Sequence, residues 1–248
     1  MTVQDIFDFL NSKFPVNTAC DFDNVGILVG DKDAEVTKAL VVLDCTKIAI
    51  KEAVKSGCEL IITHHPVIFN PLKNVLKDSI VFELIRNNIS VISMHTNLDQ
   101  GENGVTDCLC DVLNPKHKEI FIGYDGFIFR KCVISPISSD DLAKKLNQTL
   151  GGSIKYVPCD KDIENVLVCS GSGGNFIADA INIGCDALIT ADVKHNHFID
   201  AENNNIALFD AGHFNTEDVI TEPLKLLLEK EFPQIEFKSY HFSSIKTR

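Results

Sequence analysis

Apolar residues near the start of the chain recur at helical spacing. The positions are Val3, Ile6, Phe7, Leu10 and Phe14. Thr2, followed three residues later by Asp5, has the form of a capping box, in which each residue caps the other's backbone. The pattern predicts that the chain begins with an amphipathic helix.

Short apolar runs that alternate with helical patterns follow. The runs predict strands at 25–29, 39–43, 59–63 and 89–94. Between them, Thr46 is the predicted N-cap of a helix that ends at Gly57, and a second helix is predicted over 79–88. A long helix over 217–232, with Pro223 in or near its first turn, and a strand over 235–242 are predicted to close the chain. Strands joined by helices indicate a mainly parallel sheet.

The second half of the chain repeats part of the first. An offset of 127 positions aligns residues 57–63 with 184–190 and, without a gap, 39–41 with 166–168. Chance similarity in a chain rich in Ile and Leu and a true duplication both remain open. The predicted fold class is α/β, with two related α/β lobes over 1–124 and 125–248 and a junction near 123–126. The final segment is a candidate to pack back on the first lobe.

Composition places the chain among ordinary soluble proteins. Of its 248 residues, 45% are hydrophobic and 23% are charged. The apolar runs are far shorter than the ~20 residues of a membrane span, and the N-terminus lacks the features of a secretion signal. The nine cysteines form no paired framework. These features predict a cytoplasmic protein with reduced thiols and no membrane partner.

The charge balance narrows the choice of partners. A net charge of -12 does not provide the basic face that binds nucleic acid, so a nucleic-acid partner is not expected. An acidic chain instead suits a protein that gathers carboxylates around cations.

Histidines and carboxylates follow several predicted strands. His64 and His65 come directly after the apolar run 60–63, at the strand edge where α/β sheets bind ligands. The strand over 89–94 is followed by His95 and Asp99, which are expected in a loop. In the second half, His213 and Glu217 follow the apolar run 206–209, and they share a helix face if a helix has begun there.

Taken together, these side chains form a candidate metal site. The candidate ligands are His64, His65, His95, Asp99, His213 and Glu217. Mixed imidazole and carboxylate ligands suit Zn, Mn, Fe, Co or Ni, and the number of donors exceeds one tetrahedral ion, which favours a dinuclear centre. Taken singly, Asp99 and Glu217 are better interpreted as helix-cap or surface acids, but their occurrence with histidines at repeated positions favours the ligand interpretation.

Other polar groups point less clearly to chemistry. His195 and His197 are expected at the surface or supporting a site, and His117 and His241 at the surface. The glycine-rich segment 170–174 is interpreted as a tight turn rather than a phosphate cradle.

Several of these segments together resemble the NIF3-like family, also known as GTP cyclohydrolase 1 type 2 homologs. The matching segments are 23–30, 63–69, 95–99, 170–174 and 213–217. The length resembles the short form of the family, without an inserted middle domain. One departure is Thr190-Ala191-Asp192, where many members have Gly after Thr.

The resemblance implies a metal site in the cleft between two α/β lobes and a toroidal homohexamer. It implies two divalent transition-metal ions per chain, held by His64, His65, Asp99, His213 and Glu217. His95 is then a neighbour, an extra ligand or a proton shuttle, and no separate catalytic base is identified.

Three functional hypotheses follow, of which two are retained. The first is a metal-dependent, cyclohydrolase-like hydrolase that acts on a small nucleotide-like or phosphorylated compound. The alternative is a non-catalytic protein that handles metal, regulates or serves as a scaffold. The acidic charge opposes a third hypothesis, nucleic acid threaded through a ring.

Overall fold

Short strands and helices alternate along the chain, as the apolar pattern predicts. The computed structural model describes residues 1–246. Its strands are β1 (Gly26–Val29), β2 (Lys38–Val42), β3 (Leu60–Thr63), β4 (Ser90–Ser93), β5 (His117–Ile122), β6 (Ile128–Ile137), β7 (Lys155–Val157), β8 (Ile163–Ser172), β9 (Ala187–Ala191), β10 (Ala207–Asp210) and β11 (Glu236–Ser239). Its helices are α1 (Val3–Lys13), α2 (Lys47–Ser56), α3 (Ile80–Arg86), α4 (Thr96–Gln100), α5 (Val105–Val112), α6 (Ser139–Leu150), α7 (Ile177–Asn182), α8 (His195–Asn203), α9 (His213–Glu217) and α10 (Thr221–Glu231). Within the described residues, none of these helices has the length and apolar character to cross a membrane.

The first of two units comprises residues 1–102 and 220–244. Its five-stranded sheet has the order β1-β4-β3-β2-β11. All neighbouring strands are parallel except β1, which runs antiparallel to β4. The strands β3 and β4 are buried along their whole length, because helices and loops cover both faces of a parallel sheet.

The second unit contains residues 103–219. Its six-stranded sheet has the order β5-β6-β8-β9-β10-β7. Three pairings, β5–β6, β6–β8 and β10–β7, are antiparallel. The α/β class is therefore confirmed, with a second sheet that is more mixed than the sequence indicated. Residues 123–126, where the sequence predicted a junction, form the turn of the β5–β6 hairpin inside this unit, and the division of the chain falls after Glu102.

The predicted start of α1 and both predicted ends of α2 are confirmed. Thr2 and Asp5 cap each other's backbone N–H groups at the start of α1. Thr46 accepts a hydrogen bond from the Ala49 N–H at the start of α2, and Gly57 ends that helix at φ 70°. A glycine is favoured there because a side chain strains the left-handed conformation.

The repeat seen in the sequence is reproduced in the hydrogen bonding of the two sheets. Ala39 lies opposite Leu60, and Val166 lies opposite Ala187, at the same offset of 127 positions. A carboxylate then caps the strand start in each unit. In the first unit, Glu59 accepts hydrogen bonds from the N–H groups of Thr37 (3.1 Å) and Lys38 (2.9 Å). In the second, Asp186 accepts them from the equivalent N–H groups of Glu164 (3.0 Å) and Asn165 (2.8 Å). Shared register and shared caps favour duplication over chance.

The long helix predicted over 217–232 is wrong. The chain instead forms α9, a 3-10 turn over Asp218–Ile220, and α10. Pro223 lies in the first turn of α10, where a helix has no need of its missing N–H. A continuous helix would have placed this proline in its interior, so the break relieves that conflict. The closing strand β11 is also shorter than predicted.

Candidate metal centre

His64 and His65 leave β3 at its carboxyl end, as predicted. The Nδ1 atom of buried His64 lies 2.9 Å from the carbonyl oxygen of Met94. Because a carbonyl only accepts, Nδ1 carries the proton and the Nε2 lone pair becomes the ring's donor atom toward a cation. The Nδ1 atom of His65 lies 2.8 Å from Oδ1 of Asp44, which assigns the same tautomer to that ring.

His95 and Asp99 belong to a short helix, so the prediction that they lie in a loop is wrong. His95 is the N-cap of α4, and Asp99 is in the helix. Asp23 stabilises this first turn because its Oδ2 atom accepts hydrogen bonds from the N–H (3.0 Å) and the hydroxyl (2.6 Å) of Thr96. Its other oxygen lies 2.8 Å from Nδ1 of His95, so that Nε2 is again the outward donor.

The Asp23 carboxylate is strongly held in its ionised form. Burial alone would raise the pKa of Asp23, but hydrogen bonds from His95 and Thr96 outweigh burial and bring the pKa well below its usual range. An ionised Asp23 fixes both the tautomer and the orientation of the His95 ring.

Three imidazoles of the first unit converge. The ring centroids of His64, His65 and His95 lie 5.0, 5.1 and 5.6 Å apart, and each ring offers a nitrogen within 4.8 Å of the others. Nε2 of His64 lies 3.7 Å from Oδ1 of Asp99. Two ligands of a tetrahedral ion stand about 3.4 Å apart, so this spacing suits a shared cation.

The second unit brings together His213 and Glu217. The two residues lie in α9, and Nε2 of His213 is 3.0 Å from Oε2 of buried Glu217, which confirms that they share a helix face. Nδ1 of His213 lies 2.8 Å from Asp192. The hydrogen bond to Glu217, opposed by burial and reinforced by the Glu217 and Asp192 charges, raises the pKa of His213 to about 9. Such a pair of carboxylates favours a cation at this ring.

The glycine-rich segment packs closely against Glu217. Gly171 has φ +59°, and a Cβ atom there would collide with Oε1 of Glu217. The Gly171 N–H donates to the Thr216 hydroxyl (3.1 Å), and the Thr190 hydroxyl donates to the Gly171 carbonyl (2.9 Å). The turn therefore holds α9 close to the end of β8, which requires glycine at position 171.

The remaining histidines differ in exposure. His195 and His117 are exposed, as expected. His197 is buried against Gly174. Neither His195 nor His197 falls in the clusters of potential ligands found among the described residues.

Sequence reasoning did not assign Asp44 or Asp192 to the site. Each residue follows a buried strand, β2 or β9, and accepts the Nδ1–H of a candidate ligand. Acidic residues at strand ends were the available signal, although they are also common in turns.

The donor set fits a metal ion. Metal-binding histidines usually donate their second ring N–H to a carboxylate or a carbonyl, and His64, His65, His95 and His213 all do so. The pattern fixes each ring with Nε2 as the atom offered to a cation. An imidazole at the surface requires no such fixed orientation.

Comparisons with known proteins cover nearly the whole chain. A family model described as Duf34/NIF3 (NGG1p interacting factor 3) matches residues 1–248. A Campylobacter jejuni protein named GTP cyclohydrolase 1 type 2 homolog is 34% identical, over 90% of this chain and 90% of that protein. A Helicobacter pylori protein named GTP cyclohydrolase 1 type 2 is 32% identical, over 87% of this chain and 86% of that protein. A Staphylococcus aureus hypothetical protein has a crystal structure that matches with a TM-score of 0.92 at 26% identity, over 100% of this chain and 99% of that chain.

Proposed function

The chain belongs to the Duf34/NIF3 family, and from that premise we propose that it is a dinuclear metal-dependent hydrolase. The observation that carries the proposal is that four imidazoles each place Nδ1 against an oxygen acceptor. This arrangement orients each ring so that Nε2 is the atom it offers to an ion.

The proposed ligands are His64, His65, Asp99, His213 and Glu217. Three imidazoles and two carboxylates suit Zn, Mn, Fe, Co or Ni, and about two ions use this donor set more fully than one. His95 is an additional donor, since its ring lies 5.1 Å from that of His64.

The ions would supply Lewis-acid activation of water and of the electrophilic centre. The protein residues orient the ligands and handle protons. Asp23 holds the His95 ring by a 2.8 Å contact, which directs Nε2 of His95 toward the imidazole cluster. We assign His95 either a proton-transfer role or a ligand role, which the experiments below separate.

The substrate class is a small nucleotide-like or phosphorylated compound. Support comes from two similar proteins whose names contain GTP cyclohydrolase 1 type 2. The acidic chain, with a net charge of -12, would bind such an anion through the ions rather than through a basic surface.

Metal analysis of protein purified without added metal tests the first step. We expect about two ions per chain in the wild type and a sharp fall in His65→Ala and Glu217→Gln. Exposed His117→Ala is the matched control and should retain the ions. Wild-type protein that takes up no ion from Zn, Mn, Fe, Co or Ni solutions would contradict the proposal.

Turnover tests the second step. Metal-loaded protein is assayed with GTP and a panel of nucleotides and phosphate esters, with Asp99→Asn as the inactive variant. If loss of His95 abolishes turnover but leaves metal content intact, His95 transfers protons; a matching loss of metal makes it a ligand. Stable metal binding with no turnover across the panel would favour the alternative, a metal-handling or scaffold protein.

We also propose that the chain assembles with itself, as a homohexamer. Support comes from the edge strand β5, where Ile120 and Ile122 are 64% and 62% exposed. Large apolar side chains on an unpaired sheet edge are favourable sites for association.

A further inference from the structure

A groove of about 700 Å³ runs between α2 and α3 in the first unit, apart from the metal ligands. Its cationic side chains are Lys47, Lys51, Lys55, Lys77 and Arg86. Asp78 and Glu83 are the acidic residues that line it. The groove is therefore lined by more basic than acidic residues, although the chain has a net charge of -12.

Three of these lysines form one row on α2. Lys47, Lys51 and Lys55 are spaced four residues apart, so their side chains are neighbours on the helix surface. Like charges at this spacing destabilise a helix by about 0.2–0.5 kcal/mol per pair. A row of this kind is stabilised when an anionic partner lies along it.

Few of the cations are neutralised within the chain. Lys55 pairs with Glu52 at 3.4 Å, and Arg86 pairs with Glu83 at 2.7 Å. Across residues 1–246, no ion pair is formed by Lys47, Lys51 or Lys77. These lysines remain available to carboxylates from another molecule.

The groove also offers apolar surface. Ile50 and Val54 of α2 line it, and Val54 is 49% exposed. Aliphatic stems of the lysines add to this surface. None of the residues that line the groove is aromatic, which disfavours single-stranded nucleic acid because its bases bind by stacking.

We propose that this groove docks an acidic amphipathic helix of a partner protein. An apolar face would enter between α2 and α3, and carboxylates at four-residue spacing would meet Lys47, Lys51 and Lys55 about 6 Å apart. The inference concerns a second site and does not depend on the hydrolase proposal.

The probe is a fluorescein-labelled synthetic helix of 18 residues (~27 Å), with Leu at i, i+3, i+4 and i+7 spacing and Glu elsewhere. Fluorescence anisotropy with the full-length protein should show saturable binding that weakens with salt. A probe with Lys in place of Glu, and an 18-residue oligothymidylate, should bind at least about tenfold more weakly.

Two variants and one matched control locate the binding. Lys47→Glu/Lys51→Glu should weaken binding at least about tenfold, and Val54→Ser should weaken it about threefold without a change of charge. Lys32→Glu/Lys230→Glu makes the same charge change at exposed positions that do not line the groove, and should stay within about twofold. Thermal unfolding and metal content establish that each variant is folded. If Lys47→Glu/Lys51→Glu does not fold, Lys47→Gln/Lys51→Gln is used in its place.

Four results would overturn the proposal. They are absence of saturable binding, equal affinity for the oligothymidylate, equal loss in the Lys32/Lys230 control, and a change of particle mass in the Lys47/Lys51 variant. The last result would make the groove an interface between copies of this chain.

Discussion

Each candidate histidine owes its ligand geometry to a residue that would not itself touch an ion. Asp23, Asp44 and Asp192 hold the Nδ1 atoms of His95, His65 and His213 at 2.8 Å. The carbonyl of Met94 does the same for His64. Metal affinity should therefore depend on these carboxylates almost as strongly as on the ligands.

Asp44→Asn tests this dependence. The amide can present its NH₂ group to Nδ1, which destabilises the tautomer that presents Nε2 as a ligand. Metal affinity, measured by competition with a chelator, should fall about 10- to 100-fold while the fold is retained. Exposed Asp33→Asn is the control; an equal affinity in both variants would show that Asp44 has no orienting role.

Gly171→Ala tests the close approach to Glu217. Gly57 has a similar positive φ but nothing within 4 Å of an added Cβ, so Gly57→Ala reports backbone strain alone, about 1–2 kcal/mol. Gly171→Ala should lower the free energy of unfolding by a further ~1 kcal/mol or more and reduce metal content. Equal losses in urea unfolding, with unchanged metal content, would rule out the close approach as the reason for glycine.

The candidate ligands were recognisable from the sequence, whereas their supporting carboxylates were not. His64 and His65 stand next to a clear apolar strand, so periodicity alone located them. Asp44 and Asp192 become identifiable only when the fold brings residues 21 positions apart together, as it does for Asp44 with His65 and Asp192 with His213.

At the scale of elements, the repeated strand–helix–strand segment was the most predictable feature. Its apolar runs, its N-cap at Thr46 and its glycine at position 57 all act locally, so sequence spacing reports them directly. The strands β5, β6 and β7 were not predicted, because two of their three pairings join β6 to β8 and β7 to β10 across long stretches of chain. Pro223 was correctly predicted to lie near the start of a helix. The sequence did not show that this helix, α10, is separate from the one that contains Glu217.

The carboxylate of Asp186, which caps the start of β8, makes the stability of the second unit depend on pH. Burial alone would raise the pKa of Asp186, but hydrogen bonds and charge from Lys161, together with the N–H groups of Asn165 and Glu164, outweigh it and lower the pKa. The stabilisation is therefore complete above the unfolded pKa of about 3.9 and is lost as pH falls through the lower folded value.

In Asp186→Asn, the free energy of unfolding should fall less steeply between about pH 5 and pH 2 than in the wild type. Urea unfolding at successive pH values measures this slope. Exposed Asp162→Asn serves as the comparison and should keep the wild-type slope. Identical slopes in wild type and Asp186→Asn would contradict the assigned cap.

At the scale of the whole molecule, charge and exposed apolar surface point to different partners. The net charge is -12, but the β5 edge exposes apolar side chains and the α2–α3 groove is lined by more basic than acidic residues. Neither feature was visible in composition, because both depend on which side chains the fold leaves uncovered.

Ile120→Lys/Ile122→Lys tests the edge strand. Charged side chains on an edge oppose pairing with another chain, so the particle mass should fall below that of the wild type in light scattering. Leu226→Lys/Ile199→Lys adds the same charge at other exposed apolar positions and should leave the mass unchanged. A wild type that is already monomeric would reject self-association.

The repeat has a consequence for how the chain evolved. The third strands of the two units correspond at an offset of 117 rather than 127 positions, since Ser90 lies opposite Leu60 and Ala207 opposite Ala187. The unit that carries His64 and His65 is thus ten residues longer between its second and third equivalent strands, and that stretch includes Lys77 of the groove. A gene duplication followed by specialisation of one copy accounts for this pattern. On this reading the ten-residue difference arose after the two copies separated, and the copy with the longer connection carries the paired imidazoles, where the other has Ala191 and Asp192.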